Sequence, residues 1–313
     1  MNPGTPNRRT LNVNYPMAGS LKEVRERIKS VQNTQQITKA MKMVSAAKLR
    51  KAQQAIQQMR PYADKLNQML RNILSNLEGD AETSFGIVRP VEKACIVVVT
   101  SSRGLCGAFN TNVIKAAVRA IDEKYGSVRA AGNLTILCVG KKGYDFFRRR
   151  YRDCNVVADY VELSADLSFD NVSTLARSLM AAFENKEYDA IEVAYGRFKN
   201  AATQFPELDQ FLPVTKTKQE ADKKSKANYI FEPDMASLLQ YLVPSILQTQ
   251  FHKYLLDTNA SEHGARMTAM DKATENAEEL LRNLRISYNK ARQESITKEI
   301  LEIVGGAAAL END

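Results

Sequence analysis

The chain has 313 residues, of which 44% are hydrophobic and 26% are charged, so it is long enough for one large or two ordinary domains and too apolar for wholesale disorder. Its net charge of +8 is unevenly distributed, because residues 1–60 carry 12 Lys and Arg against 2 Asp and Glu, whereas residues 257–313 carry 7 against 11. A basic amino-terminal end indicates an acidic partner, such as nucleic acid, an anionic membrane or an acidic protein surface.

The cysteine and histidine content argues against a metal centre or a disulfide framework. The four cysteines are scattered without a C-x-x-C pair, and there are only two histidines. This usage is typical of a reducing compartment. No apolar run approaches the ~20 residues that a bilayer-spanning helix needs.

The amino-terminal part predicts a leader followed by a long helix. Residues 1–16 lack the apolar core of a secretory signal, and we predict a disordered leader there. Residues 17–78 are predicted to form the first long helix, because apolar positions recur every three or four residues from Leu21 to Leu77. From Ser20 to Leu77 this helix would be roughly 85 Å long, with Pro61 as a kink or joint. The repeating apolar stripe includes Leu21, Val24, Ile28, Val31, Ile37, Met41, Val44, Leu49, Ala52 and Ile56.

The carboxy-terminal part, residues 233–313, has the same helical periodicity from Met235 to Leu310. Two long helices at opposite ends of the chain predict an antiparallel coiled coil, a shaft that emerges from a compact middle domain. The last apolar segment, Ile303–Leu310, contains Gly305 and Gly306, which lower helix propensity by about 1 kcal/mol each relative to Ala. It is either a frayed tail or a slim helix tip that inserts into a partner.

The middle, residues 79–232, changes to a strand-and-helix alternation that predicts an open α/β sheet. The predicted strands are Ala94–Thr100, Leu134–Val139, Asn155–Leu163 and Ala190–Tyr195. The predicted helices are Thr111–Lys124, Lys142–Arg150 and Asn171–Glu184. The basic stretch 216–228 is predicted to be a solvated loop.

Three classes of function remain open on these residues. The turn Ser101–Asn110 lies between a strand and a helix, where phosphate can bind, but it matches neither glycine-rich phosphate motif. We therefore favour a plain tight turn over nucleotide binding there, with a partner contact by Arg103 and Cys106 as the intermediate alternative. The basic first helix suits nucleic acid by charge, yet it has no aromatic residue between Met17 and Pro61. A noncatalytic interaction protein is the third class, since no nucleophile–base constellation stands out.

Three stretches together resemble the gamma subunit of rotary F-type ATP synthases. They are VQNTQQITKAMKMVSAAKLRKAQ at 31–53, RGLCG at 103–107 and ITKEILEIVGGAAA at 296–309, preceded by YNKARQ at 288–293. The resemblance extends from Met17 to Leu310. The 16-residue leader and the loop 216–228 depart from the family pattern, and the dithiol insertion of the chloroplast version is missing, so thiol control is not expected.

The resemblance implies a central shaft inside a hexamer of alpha and beta subunits, with the α/β domain as a foot on the membrane c-ring beside epsilon. It places Met41, Lys42, Arg103 and Cys106 where the chain contacts an acidic region of beta. It gives contact and coupling roles to Arg292, Gln293, Thr297 and Glu299. The implied shaft tip, in an apolar collar of the hexamer, is formed by Ile303, Val304, Gly305, Gly306 and Ala307.

The implied function is noncatalytic: the shaft converts proton-driven rotation of the c-ring into conformational cycling of the beta sites. The chain is expected to bind no cofactor itself, because ATP, ADP and Mg belong to partner subunits, and to bind no nucleic acid and cross no membrane. The expected location is the cytoplasmic face of a bacterial inner membrane, in preference to the matrix side of the mitochondrial one. The alternative is an α/β nucleotide- or substrate-binding protein with a coiled-coil appendage.

Overall fold

The computed structural model describes residues 21–76, 84–214 and 235–310. These residues form two compact units, one within residues 39–272 and the other from the described chain ends, 21–38 and 273–310. The predicted leader 1–16 and the predicted loop 216–228 lie outside the described residues, as do the outermost positions of the predicted long helices.

The described elements alternate in the middle of the chain and are purely helical at both ends. The helices are α1 (Leu21–Asn76), α2 (Phe109–Lys124), α3 (Gly126–Ala130), α4 (Lys141–Arg150), α5 (Phe169–Glu184) and α6 (Met235–Leu310), with 3-10 turns at Ser84–Gly86 and Val161–Ala165. The strands are β1 (Ala94–Val99), β2 (Leu134–Val139), β3 (Asn155–Val157), β4 (Ala190–Phe198) and β5 (Gln204–Leu212).

The five strands form one sheet in the order β3-β2-β1-β4-β5. The first four are parallel, and β5 pairs antiparallel with β4. Every residue of β1 and β2 is buried, which explains their continuous apolar sequences, since a parallel strand is covered on both faces. The predicted combination of an α/β sheet with long terminal helices is confirmed.

Both faces of the sheet carry a hydrophobic core. One face packs against α2, α3 and α4 through residues that include Phe109, Ile121 and Phe147. The other packs against α5 and the beginning of α6 through residues that include Leu175, Phe251 and Tyr254. Because β1 and β2 are parallel neighbours, their carboxyl ends lie at the same edge of the sheet, where the turns after Val99 and Val139 begin.

Two details of the middle differ from the sequence prediction. The strand expected over 155–163 ends at Val157, and a 3-10 turn follows at Val161–Ala165. Strand β5 was not predicted, because its sequence QFPELDQFL contains a proline and four polar residues in nine positions. Pro206 is tolerated there since β5 is an edge strand, where an amide need not donate to a neighbour.

The two long helices are continuous, and Pro61 and Pro244 lie inside them without ending them. Within each unit α1 and α6 run antiparallel. In the chain-end unit, Arg25 contacts Tyr288 and Thr38 contacts Thr274, whereas in the other unit Leu49, Ala52 and Ile56 pack against Leu256 and Ala260. The antiparallel coiled coil is thus present in both.

The apolar stripe predicted on α1 is wrong in its central part. Ile37 is 59% exposed and Val44 is 57% exposed, although both were assigned to the buried stripe. The positions that are buried instead are Thr38 and Ser45, whose hydroxyls bond to Gln35 and Thr274 and to the Met41 carbonyl. Small hydroxylated residues let the two helices approach closely, and their polar atoms are satisfied within the seam.

Candidate functional site: a helix pair, a tethered loop and an exposed helix end

Met41 and Lys42 lie on α1 opposite the middle of α6. Lys42 Nζ donates to Asp271 Oδ1, and the two side chains remain 41% and 45% exposed. Met41 is half-buried, and the two residues after Lys42, Met43 and Val44, are exposed. This part of α1 therefore offers solvent an apolar pair beside a cation that already has an internal acidic partner.

The turn after β1 is closed by its own side chains. Asn110, in the first turn of α2, accepts from the Ser101 amide at 3.0 Å through Oδ1, and its Nδ2 donates to Ser101 Oγ at 2.8 Å and to Cys106 Sγ at 3.2 Å. Leu105 and Gly107 have φ values of 62° and 59°. Left-handed backbone at two nearby positions makes the turn tight and favours glycine at the second.

Arg266 of α6 ties this loop to the helix pair. Its guanidinium donates to the carbonyl of Arg103 at 3.0 Å and to that of Gly104 at 3.2 Å, and it pairs with Glu262 at 2.7 Å. The Arg266 side chain is 9% exposed. A planar guanidinium can serve three acceptors at once, so a single buried residue fixes the loop against α6.

The loop presents its outer residues to solvent. Arg103 and Leu105 are exposed, whereas Cys106 is 2% exposed and packs in the core with Phe109. Of the two loop residues predicted to contact a partner, Arg103 is therefore accessible, and Cys106 supports the loop from beneath. A direct contact by the Cys106 thiol would require the loop to open.

A groove of about 660 Å³ runs beside Arg103 within the same unit. Its rim carries Lys48, Lys51 and Arg103, and its acidic lining includes Glu262. Burial raises the pKa of Glu262, against the opposing effect of Arg266, Lys48 and Arg103. Burial, Arg266 and Lys48 together lower the pKa of His263 to about 4, so this histidine is neutral at pH 7.

The geometry favours the plain tight turn over a phosphate cradle at 101–110. The Ser101 and Asn110 side chains bond to each other, and the Arg103 carbonyl accepts from both Ser101 Oγ and Arg266. Over the described ranges 21–76, 84–214 and 235–310, no group of three or more metal-ligating side chains converges. In the same ranges, no helix combines the length and hydropathy of a membrane span.

The carboxy-terminal residues predicted to make contacts lie on α6 in the chain-end unit. Arg292, Gln293, Thr297 and Glu299 are all exposed, and Thr297 Oγ1 donates to the Gln293 carbonyl at 2.9 Å. Beyond them α6 remains helical to Leu310. From Ile296 onward, the large exposed side chains of α6 are mainly apolar: Ile296, Ile300, Leu301, Ile303 and Val304.

The predicted tip residues continue this exposed end. Gly305, Gly306 and Ala307 are exposed, and a Cβ added at either glycine would meet nothing within 4 Å. Neither glycine is therefore required by packing within the described chain. A run of exposed apolar residues on a helix normally marks a contact surface.

The structure gathers the predicted residues into separate groups. Met41 and Lys42 sit on the helix pair, Arg103 and Cys106 in the tethered loop, and the remaining residues on the last turns of α6. Two residues that sequence reasoning missed are Arg266 and Asp271. Neither has a local sequence signal, because their partners are 162 or 163 and 229 residues away along the chain.

Comparison with known proteins assigns the family. The family described as ATP synthase matches residues 20–310. An ATP synthase gamma chain of Cytophaga hutchinsonii is 52% identical over 295 residues, covering 94% of this chain and 99% of that protein. The gamma chain of Flavobacterium psychrophilum is 50% identical, with 93% and 99% covered, and that of Chlorobium luteolum is 45% identical, with 94% and 99% covered.

Solved structures agree in fold. A chain of the Euglena gracilis mitochondrial ATP synthase, solved as OSCP, F1 and c-ring, superposes with a TM-score of 0.61 at 24% identity, covering 93% of this chain and 94% of that one. A chain of the Tetrahymena thermophila mitochondrial central stalk and c-ring gives 0.51 at 22% identity, with 76% and 99% covered. With relatives at half identity over nearly their whole length, this chain belongs to the family of ATP synthase gamma chains.

Proposed function

We propose that this chain is the noncatalytic central rotor shaft of a proton-translocating ATP synthase. It couples rotation of a membrane c-ring to the conformational cycling of the catalytic sites on beta subunits. The observation that carries the proposal is the near full-length match to gamma chains, at 52% identity over 94% of this chain. The antiparallel pairing of α1 and α6 supports it, as does the exposed apolar surface on the last turns of α6.

The proposed mechanism needs only differential contact. Three identical catalytic sites around a symmetric axis would have equal energies. A shaft whose faces differ contacts each beta subunit differently, and the difference in contact free energy shifts each site toward another conformation. In this chain the two helices differ in the side chains that they present. Helix α1 carries Lys42 and Met43, and α6 carries Arg292 and Ile296.

The contact residues proposed for beta are Met41, Lys42, Arg103, Arg292, Gln293, Thr297 and Glu299, with Cys106 acting as the support of the Arg103 loop. Their accessibility supports this assignment for the five exposed residues, whereas Met41 and Lys42 are half-buried and Cys106 is buried. The segment from Ile303 to Ala307 is proposed as the tip in an apolar collar of the hexamer. Its exposed isoleucine and valine would lose water-accessible apolar area on insertion, which favours binding.

The proposed partners are the alpha and beta subunits, the epsilon subunit and the c-ring. Nucleotides and Mg are assigned to those partners, and this chain is proposed to bind no cofactor of its own. The Euglena structure, which contains F1 and a c-ring, supports the comparison by fold alone. We place the assembled complex at the cytoplasmic face of a bacterial inner membrane, and the bacterial source of the similar gamma chains supports that choice.

Reconstitution tests the proposal. The purified chain should have negligible ATPase activity, and mixing it with alpha and beta subunits should yield a soluble, active ATPase. A variant chain that ends after Ser295 lacks the exposed apolar end of α6. It should assemble with alpha and beta subunits less stably than the full chain does. Robust ATP turnover by the purified chain alone would contradict the noncatalytic role.

A further inference from the structure

One short stretch at the edge of the sheet concentrates the positive charge of the α/β domain. Residues 141–152 contain six cations and one acid, whereas the other described residues of 84–214 contain 11 cations and 14 acids. Helix α4 and the turn after it carry these cations, which are Lys141, Lys142, Arg148, Arg149, Arg150 and Arg152. Without this stretch the domain would be acidic.

Within the described part of the chain, no acid neutralises these six side chains. All are exposed, and none forms an ion pair with an acid among residues 21–76, 84–214 and 235–310. The nearest acid in sequence after α4, Asp153, is bonded to Arg129 at 2.6 Å. Solvated faces ordinarily mix both signs of charge, so six cations against one acid, Asp145, is unusual for a surface with no partner.

The arginines also have fixed supports. The guanidinium of Arg148 lies 5.7 Å from the ring centroid of Tyr144, and that of Arg150 lies 5.0 Å from that of Phe146. Phe147, which precedes Arg148, is fully buried and anchors α4 on the sheet. Three consecutive arginines on an anchored helix end therefore point outward as forked donors, which suit phosphate oxygens.

We propose that α4 and Arg152 form a docking surface for the anionic headgroups of a phospholipid bilayer. The choice of a membrane over another phosphate-bearing polymer rests on the proposed function, which places the chain in a membrane-associated complex. Charge complementarity is the attraction: each Lys or Arg close to an anionic bilayer contributes a factor of about five in affinity. The aromatic side chains near these arginines are half-buried or buried, so they are poorly placed to stack on nucleobases.

Vesicle co-sedimentation of the full chain tests this surface at an ionic strength of about 0.15 M. We expect binding to vesicles of phosphatidylglycerol and phosphatidylcholine, and none to phosphatidylcholine alone. The variant R148Q/R149Q/R150Q/R152Q should bind on the order of 600-fold more weakly, because it removes four cations that each contribute a factor of about five. The charge-matched control K39Q/K48Q/R50Q/K51Q, which removes four exposed cations of α1, should change binding less than tenfold.

Three outcomes would overturn the proposal. The first is equal loss of vesicle binding in both quadruple variants, which would mean that net charge alone attracts the chain. The second is unchanged binding of R148Q/R149Q/R150Q/R152Q. The third is tighter binding of wild-type chain to duplex or single-stranded DNA than to the anionic vesicles at the same salt.

Folding and function are separated by two further measurements. The variant R148K/R149K/R150K/R152K keeps the charge and should retain vesicle binding, which distinguishes lost attraction from a damaged helix. Assembly of the glutamine variant with alpha and beta subunits into an active ATPase is expected to be normal. The rotor proposal could therefore survive a failure of the membrane proposal, and each can fail alone.

Discussion

The internal ion pair of Lys42 allows a sharp test of its proposed contact with beta. Lys42→Glu would place a carboxylate against Asp271, so the variant loses an attraction and gains a repulsion. Both side chains are more than a third exposed, at 41% and 45%, so solvent screens the pair. An exposed pair stabilises a protein by roughly 0.2–1 kcal/mol, and we expect the reversal to cost no more than about 2 kcal/mol.

The charge swap K42E/D271K separates the internal pair from the partner contact. It restores the attraction with the signs exchanged, so the thermal unfolding midpoint should return close to that of the wild type. ATP-driven proton pumping by the assembled complex should remain impaired, because the carboxylate at position 42 would face the acidic region of beta that is proposed to contact this position. The control Asp271→Ala keeps the Lys42 charge and should pump nearly normally.

The swap has a clear contradicting result. If K42E/D271K recovers wild-type pumping together with stability, the function of Lys42 is to pair with Asp271. The proposed contact between Lys42 and beta would then be wrong. Folding and coupling are read from the same preparation by circular dichroism and by acidification of inverted vesicles.

Three further predictions concern the fold and the tethered loop. Gly140→Ala should lower the unfolding free energy by roughly 2–4 kcal/mol, because φ at Gly140 is 95° and the new Cβ would lie 2.1 Å from the Thr100 carbonyl oxygen. In the same urea titration the control Gly126→Ala should be neutral, since its Cβ would meet nothing within 4 Å. Burial raises the pKa of Asp257 from 3.8 to about 6, so its contribution to stability is present below pH 3.8 and lost as the pH rises through 6. Asp257→Asn should therefore stabilise the chain by up to about 3 kcal/mol at pH 8 and by little at pH 4, and a pH-independent difference would refute this. Arg266→Ala should free the Arg103–Gly104 loop and speed tryptic cleavage after Arg103, with Arg266→Lys intermediate; unchanged cleavage would mean that the loop is held by its own turn.

Much of the fold could be predicted because its strongest signals are local. The apolar runs of β1 and β2 are typical of buried parallel strands, and the periodicity of α6 gives its bounds at Met235 and Leu310. Strand β5 could not be predicted, since Pro206 and four polar residues within nine positions suit an edge strand but are equally typical of a loop. The parallel edge strand β3 was overextended because Val161, which continues its apolar pattern, belongs to a 3-10 turn.

The helix pair shows why hydrophobic periodicity can mislead at a contact surface. Ile37 and Val44 fit the stripe, yet they are exposed, and the seam is formed by Thr38 and Ser45 instead. A chain that binds partners on the outside of its helix pair keeps apolar residues there. Periodicity counts such residues as core, since it cannot distinguish an internal partner from an external one.

The sequence proposed the residues of the candidate site but could not predict the contacts that hold them in place. The motifs around Met41, Arg103 and Arg292 are contiguous in sequence, and the resemblance to gamma subunits named them. The ion pair of Lys42 with Asp271 and the tether of Arg266 depend on which side of α6 faces α1 and the loop. That information exists only once the helices are packed.

Direct observation of rotation tests the central claim best. A bead attached through biotin at Lys115→Cys, an exposed site on α2, with Cys154→Ser to remove the one cysteine that is not buried, would report on the chain in an immobilised complex with alpha and beta subunits. Addition of ATP should turn the bead in one direction, in steps whose rate follows ATP hydrolysis. Sustained ATP hydrolysis with a stationary bead would contradict the rotor account.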